Sequence, residues 1–366
     1  MALEGELRIG LLVNDGRVER VRIGSTRPDV ARSLLPGRTR DVVAALVPRL
    51  FSICSRSQAA ASELASTAAV GDPVTPEMLA RASAAVSAEI VREFAWRMLL
   101  EAPKRIGETP GAEAIVAARA AVGFRPDAPA DAVARTIAQA VFGDAADAWL
   151  AQASPADLER WIDAGQTAAA RFVRRMRDAE AAAGGDRPQH GVPLLDASDH
   201  AAWIGEISQA CDADPDFARH PTWRGVPAET GALARQQADP LIGALLRAPA
   251  SRVVARFVAR LRELALLLGG RSAAVAGARS LAAGSGIAWV ENARGLLVHR
   301  VRLDQDRVRS YDIVAPTEWN FHPAGALALA LASARAEDLA ALKDRTDRLV
   351  HSLDPCVACQ VEFDHA

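Results

Sequence analysis

The sequence has a single Tyr and only 4 Cys among 366 residues. A chain of this length builds its core without staples, and in a reducing compartment four cysteines do not suggest a disulfide framework. A basic excess is also missing: Lys plus Arg number 43 against 45 Asp plus Glu, for a net charge of −2. Proteins that work on the phosphate backbone carry such an excess, so no nucleic-acid partner is expected. No long apolar run occurs. The longest candidate, Leu264 to Leu268, is embedded among Arg and Gly, far short of the ~20 residues a membrane helix needs, so no membrane insertion is expected. Met1 to Glu6 is acidic and no apolar stretch follows, so a secretory signal is not expected and the expected location is the cytoplasm. What is present is apolar material: hydrophobic residues make up 50% of the chain, enough for a large core and too much for general disorder. The length suits about two domains of roughly 150 residues, or one large single-core fold.

Periodicity gives a mainly helical chain with small β-hairpins. Residues 6–13 alternate as a strand, Asn14-Asp15-Gly16 is a turn signal, and Val18 to Ile23 returns, so a hairpin is expected over 1–24. Residues 40–290 are rich in Ala, Arg, Glu and Leu and are expected as a helical core. Within it, 181–193 is the best loop candidate. Ser251 to Leu268 carries an apolar stripe, with Arg252, Arg256, Arg260 and Glu263 off it and Gly269 as a C-terminal cap. A second hairpin is expected over 295–315, with strands at 296–303 and 308–314. Ala324 to Val350 is expected as helix, followed by a Cys-bearing tail over 351–366. One domain over 1–366 accommodates all of this, and the two hairpins are expected to pair into one small sheet.

Chemistry concentrates at the two ends. The tail reads Asp354-Pro355-Cys356-Val357-Ala358-Cys359. A Cys-x-x-Cys can place two thiolates on one soft metal, can form a redox disulfide, or can be two thiols of no consequence. A thioredoxin-like pair would sit in a βαβ setting, and a zinc ribbon would need a second pair, which is missing. Near the other end, Cys54 precedes an expected helix from Ser55 through Ala69. A helix N-terminus stabilises a thiolate, although a lone Cys there is more often a packing residue. Cys211 stands in an acidic stretch without partners and is expected to be structural. His190, His200 and His220 have no ligand spacing. His322, in Asn320-Phe321-His322-Pro323, either reaches a site or is bonded to the backbone of its loop.

Taken together, the two cysteine segments resemble those of the nickel-iron hydrogenase large subunit. Asp354-Pro355-Cys356-x-x-Cys359 is similar to that family's distal metal motif. Its proximal motif, Arg-x-Cys-Gly-x-Cys-x-x-x-His, falls on Arg49 to Gln58. There Arg49 and Cys54 match, Phe51 replaces the first Cys, Ser52 the Gly and Gln58 the His. Further matches lie in order between them: Glu4-Gly5 with Leu7-Arg8-Ile9, Gly225 through Arg235, Ala293-Arg294-Gly295, and Pro316-Thr317-Glu318-Trp319-Asn320. The resemblance implies the large-subunit fold, mainly α with small β-structure. It also implies a site where four cysteines hold nickel and iron, the second of each motif bridging both metals and the first binding nickel only.

Both bridging positions are kept here, as Cys54 and Cys359, and one nickel-only position, as Cys356. The other is Phe51, whose ring cannot coordinate. Arg294 and Thr317 match the family's donors to the cyanides on iron, and buried cyanide nitrogens need such donors. The family's magnesium positions fall on Glu362 and Pro48, so no nickel and no magnesium are expected. Only Phe363 to Ala366 follow, so no cleavable extension is expected. Glu4 matches a proton-transfer glutamate that would be idle without nickel. The resemblance therefore implies an accessory protein of hydrogenase maturation, of the HupK/HoxV type, rather than an enzyme. It would hold an Fe(CN)2(CO) unit transiently at Cys54, Cys359 and Cys356, next to Arg294 and Thr317. Its expected partners are the hydrogenase assembly chaperones and the large-subunit precursor. Two other readings stay open: a divergent hydrogenase-like oxidoreductase or hydrogen sensor, and a metal-free binding module in hydrogenase assembly.

Overall fold

The computed structural model describes residues 5–51, 53–128, 131–182, 191–195, 200–248 and 252–365. Glu4, Ser52, His190 and most of the expected 181–193 loop lie outside these residues. Within the expected 1–366 domain, contacts gather into two compact units, each discontinuous in sequence. The first comprises Met1–Ala85, Pro188–Gly231 and Val275–Ala366, and the second Val86–Arg187 and Ala232–Ala274. No helix among the described residues is long and apolar enough to cross a membrane.

The first unit holds all the described strands: β1 (Glu6–Asn14), β2 (Arg17–Ser25), β3 (Ala276–Ala282), β4 (Ser285–Asn292), β5 (Gly295–Asp304), β6 (Arg307–Val314) and β7 (Ala358–His365). The expected first hairpin is β1–β2. Its turn residues Asp15 and Gly16 both take positive φ, 49° and 68°, which the right-handed strand twist favours. Leu7, Ile9, Leu11 and Val13 alternate into the core. The second expected hairpin is β5–β6.

The two hairpins do not join into one sheet, contrary to expectation. One sheet has the order β2-β1-β7 and the other β3-β4-β5-β6. Both edges of β5 are filled by β4 and β6, whereas the free edge of β1 is taken by the C-terminal tail. β7 pairs with it in parallel, with Leu7 opposite Cys359. Two strands, β3 and β4, also interrupt the stretch expected as helical. The Gly- and Ala-rich β3 carries little strand propensity, whereas β4 holds Ile287, Trp289 and Val290, which favour strands. β4 is buried on both faces.

That burial positions the site. Helix Ser55–Val70, found where the sequence puts it, covers one face of the second sheet, with Ala65, Ala68 and Ala69 against β4. The approach is so close that a Cβ on Gly286 would lie 2.3 Å from Ala65 O and 2.4 Å from Ala69 N. Ile287 points the other way along β4. It enters a core cluster with Trp203, Leu296, Val298 and Trp319. Cys54 is the N-cap of this helix, so the helix–sheet contact fixes its place. Gly286→Val should force the two backbones apart and lower stability by about 3 kcal/mol or more, the upper range for overpacked cores. A urea midpoint within error of wild type would contradict the close contact.

The expected 324–350 helix is two, Ala326–Leu331 and Leu339–Leu353. The break arises because Ser333, Ala334 and Ala336 exchange backbone hydrogen bonds with Val18 and Gly16 of the first hairpin.

All regular structure described in the second unit is helical. Its central helix, Arg252–Leu268, is buried nearly all round, so Arg256, Arg260 and Glu263 are buried although they lie off the apolar stripe. Glu263 accepts two 2.7 Å bonds from Arg235, and Arg260 lies over the Phe257 ring. The left-handed residue at the helix end is Gly270 (φ 66°), one past the expected Gly269. Its N–H bonds to Leu267 O and that of Arg271 to Leu266 O, a Schellman ending.

Candidate functional site

Three of the sequence motifs are tied into one buried knot. The turn Ala293-Arg294-Gly295 between β4 and β5 packs on Thr230-Gly231. Gly231 and Gly295 (φ 118° and 131°) leave no room for a Cβ there. Asn320 locks the knot: its Oδ1 accepts from Thr230 N at 2.9 Å and its Nδ2 donates to Arg294 O at 3.2 Å. Leu296 N donates to Thr230 Oγ1 at 2.9 Å. The knot holds Arg294 and Thr317, both buried, at fixed positions.

The tail is anchored to that knot. Asp354 ends helix Leu339–Leu353 in the left-handed region (φ 54°), with its N–H bonded to Val350 O. Its carboxylate Oδ2 lies 3.8 Å from Arg294 Nε, and both side chains are 3% exposed. Pro355 then directs the chain away from helix, and Cys356 meets Thr317. Thr317 Oγ1 donates to Cys356 Sγ at 3.1 Å and lies 3.4 Å from Cys356 N. Cys359 follows at the start of β7.

A residue that no sequence motif marks links the two ends of the chain. Arg27, just after β2, donates from Nη1 to Cys356 Sγ at 3.4 Å. Its guanidinium lies over the Phe51 ring, 5.2 Å from the centroid, and 4.0 Å from Glu318 Oε1. Charges at both Cys356 and Cys54 act on it. Cys54 and Cys356, some three hundred residues apart in sequence, therefore face one cation. Cys359 and Cys356 also interact electrostatically. Among the described residues, no three His, Cys, Asp or Glu side chains stand close enough to hold a metal ion together. Arg27 thus lies between Cys356 and Cys54, and Cys359 joins them through Cys356. A cavity of about 280 Å³ opens at Arg27, walled also by Phe51 and Glu318 and by Leu7, Ile23 and Phe321.

Burial pushes the Cys359 thiol up to about 12, with the charges of Cys356 and Asp347 adding to it. Burial, aided by Asp312, does the same to Cys211, which lies in the core cluster as a structural thiol. Both are protonated at neutral pH, so a metal binding at Cys359 displaces a proton and binds less well as pH falls. An unfolded thiol titrates near ~8.5. Above about pH 9 the folded chain holds protons that the unfolded chain releases, and stability falls as pH rises toward 12. Urea midpoints measured through this window should decline in wild type and decline less in a Cys211→Ala, Cys359→Ala double variant. Equal slopes would contradict the assignment.

The comparisons with known proteins bear on the family and the fold. Residues 271–362 match the family model for nickel-dependent hydrogenase. The chain is 33% identical to the hydrogenase expression/formation protein HoxV of Cupriavidus necator, over 93% of this chain and 92% of that protein. The chain belongs to the HupK/HoxV family of hydrogenase expression/formation proteins. Another relative, HupK of Azotobacter vinelandii, is 31% identical over the full length of both chains. Solved structures show the fold: the Ni-Fe-Se hydrogenase from D. vulgaris Hildenborough in the reduced state superposes with a TM-score of 0.58 at 17% identity, covering 94% of this chain and 95% of that one. An NAD+-reducing [NiFe]-hydrogenase in the H2-reduced state gives 0.57 at 17% identity, with 94% of each chain covered. The fold is that of the nickel-iron hydrogenase large subunit, mainly helical with small sheets.

In this HupK/HoxV-family chain, His322 is bonded to its own loop: its Nδ1 accepts from Ala324 N at 3.0 Å, and its ring stacks edge-on against His220. Reasoning from sequence missed Arg27, since an Arg before a Pro at the end of a hairpin carries no spacing signal. It also missed His299. That ring is fully buried in β5, within hydrogen-bond reach of Gln58 and Tyr311.

Proposed function

We propose that this protein is an accessory factor of nickel-iron hydrogenase maturation that carries an Fe(CN)2(CO) unit as cargo before its transfer to the hydrogenase large subunit. The observation that carries this reading is Phe51. At the position matching a nickel-only cysteine stands a buried ring covered by the Arg27 guanidinium, while the other three cysteine positions are kept. The donor set fits an iron unit with anionic diatomic ligands better than a nickel centre. Cys54 and Cys359 would bind iron through soft thiolates, with Cys356 adjacent. The Thr317 hydroxyl, the Arg27 guanidinium and the further N–H groups of Arg294 are donors suited to cyanide nitrogens. The unit would enter by displacing Arg27 from Cys356, since among the described residues no three ligand side chains are closed around one point. A site that must be opened to load and that lacks the fourth thiolate suits release. The partners in this scheme are the hydrogenase assembly chaperones, which deliver the unit, and the large-subunit precursor, which receives it. The family name shared by the HoxV and HupK relatives supports the maturation role.

The open arrangement of the thiols also favours a second reading, a metal-free binding module in the same assembly pathway. Elemental analysis and infrared spectra of anaerobically purified protein separate these. Iron without nickel, with bands in the CO and cyanide stretching region, supports the carrier. Neither metal supports the binding module, and both metals would indicate a hydrogenase-like oxidoreductase or sensor. Phe51→Cys alone should give no hydrogen turnover in a hydrogen-uptake assay, because Gln58 and Glu362 also depart from the enzyme pattern.

A further inference from the structure

Behind Cys54 a line of polar side chains runs into the core. Gln58 Nε2 lies 3.7 Å from Cys54 Sγ. Gln58 Oε1 lies 2.8 Å from His299 Nε2, and His299 Nδ1 lies 2.8 Å from the Tyr311 hydroxyl. Gln58 is 1% exposed and the two rings 0%. Polar groups this deep are costly unless each has a partner, so a contact serving packing alone would be better made by apolar residues of the same shape. The three residues come from three places, the first turn of helix Ser55–Val70 and strands β5 and β6, and they meet only because that helix lies directly on the sheet.

The chain has a direction. An amide nitrogen donates and an amide oxygen only accepts. With Nε2 turned to the sulfur, Oε1 must accept from His299 Nε2–H. His299 is neutral, since burial pushes its pKa down to about 3, so it has one ring proton. Nδ1 then accepts from the Tyr311 O–H. Every donor points toward Cys54.

We propose that Gln58, His299 and Tyr311 form a proton-ordered chain that holds Cys54 Sγ as a hydrogen-bond acceptor, which makes Gln58 a positioning residue of the cysteine site and His299 and Tyr311 the residues that orient it. The purpose rests on the carrier reading. A thiolate that accepts an N–H bond donates less charge to a bound metal, and a chain of neutral groups brings no charge into the core when the metal leaves. The geometry does not depend on iron, and neither does its test.

Long-range proton–nitrogen NMR spectra of histidine-labelled protein report the tautomer of His299, assigned by the loss of its signal in His299→Gln. Wild type should show the Nε2–H tautomer. Cys54→Ala, two links away from the ring, removes the acceptor at the end of the chain and should lower the ratio of Nε2–H to Nδ1–H by about fivefold, the worth of one hydrogen bond. Tyr311→Phe removes the donor to Nδ1 and should move the ratio the same way, while Cys356→Ser should leave it unchanged. A purely structural contact between Gln58 and His299 would not respond to Cys54→Ala. An Nδ1–H ring in wild type, or a ratio indifferent to Cys54→Ala, overturns the chain. If Cys54→Ala does not fold, an unchanged ratio in Tyr311→Phe does so alone. Wild-type protein that holds no iron but shows these tautomer shifts refutes the carrier and leaves the chain standing.

Discussion

Cys54→Ser and Cys359→Ser should each reduce the iron retained by anaerobically purified protein at least tenfold, to background. Each removes one of only two thiolates at the bridging positions, and a serine hydroxyl is a hard, protonated and weak ligand for low-spin iron. The two cysteines reach the site by different means. Cys54 is held at the start of helix Ser55–Val70, where the helix dipole favours a thiolate. Cys359 is placed by its register opposite Leu7 in the sheet. Both changes nearly conserve volume, so folding should survive and the loss should be one of ligation. Cys356→Ser should cost less, about threefold, since a hydroxyl can still take the hydrogen bonds from Thr317 and Arg27. Iron content by elemental analysis and hydrogenase activity of cells carrying each variant are the measurements. Full activity with Cys54→Ser and Cys359→Ser refutes the carrier.

The largest effect on stability is expected at Asp354. Asp354→Asn conserves shape and tolerates the left-handed backbone that closes its helix, but it removes the carboxylate facing Arg294. Both side chains are 3% exposed, so Arg294 loses the carboxylate charge facing it in a dry setting, and breaking a buried pair costs about 3–5 kcal/mol. The denaturant midpoint should fall accordingly. Arg294→Met should be similarly costly, and the double variant should recover part of the loss, because both members of the buried pair are then neutral. Additive losses in that cycle would mean that the two side chains do not stabilise each other. Since Asp354 also sets the path of the tail, iron retention should fall with stability in the single variants.

How far the sequence reaches can be seen at particular residues. The Asp15-Gly16 turn, the helix behind Cys54 and the strands of β5–β6 were legible because each depends on local geometry. β4 was not, because burial on both faces, under a helix backbone at Gly286 and in a core cluster at Ile287, leaves it without the apolar-polar alternation that marks a strand. Cys54, Cys356, Arg294 and Thr317 were legible through the order of their motifs. The structure brings Thr317 to Cys356 and turns Arg294 to Asp354, two residues before it. Arg27, His299 and Tyr311 had no such context, and Gln58 stood in the proximal motif only as a replacement for its His.

The sequence by itself determined the inventory: three thiols in two motifs, a phenyl ring where a fourth would be, and the motif order that carries the fold. Ligand chemistry belongs to the side chain, so the loss of a ligand at Phe51 is visible without coordinates. Only the tertiary structure decided what surrounds the sulfurs. The cation on Cys356 comes from the end of the first hairpin, the hydroxyl from beyond β6, and the line of amide, imidazole and phenol behind Cys54 from one helix and two strands. Those neighbours are set by strand register and by how closely a helix can lie on a sheet. Both are properties of pairs of segments far apart in the chain, and no window along the sequence contains them.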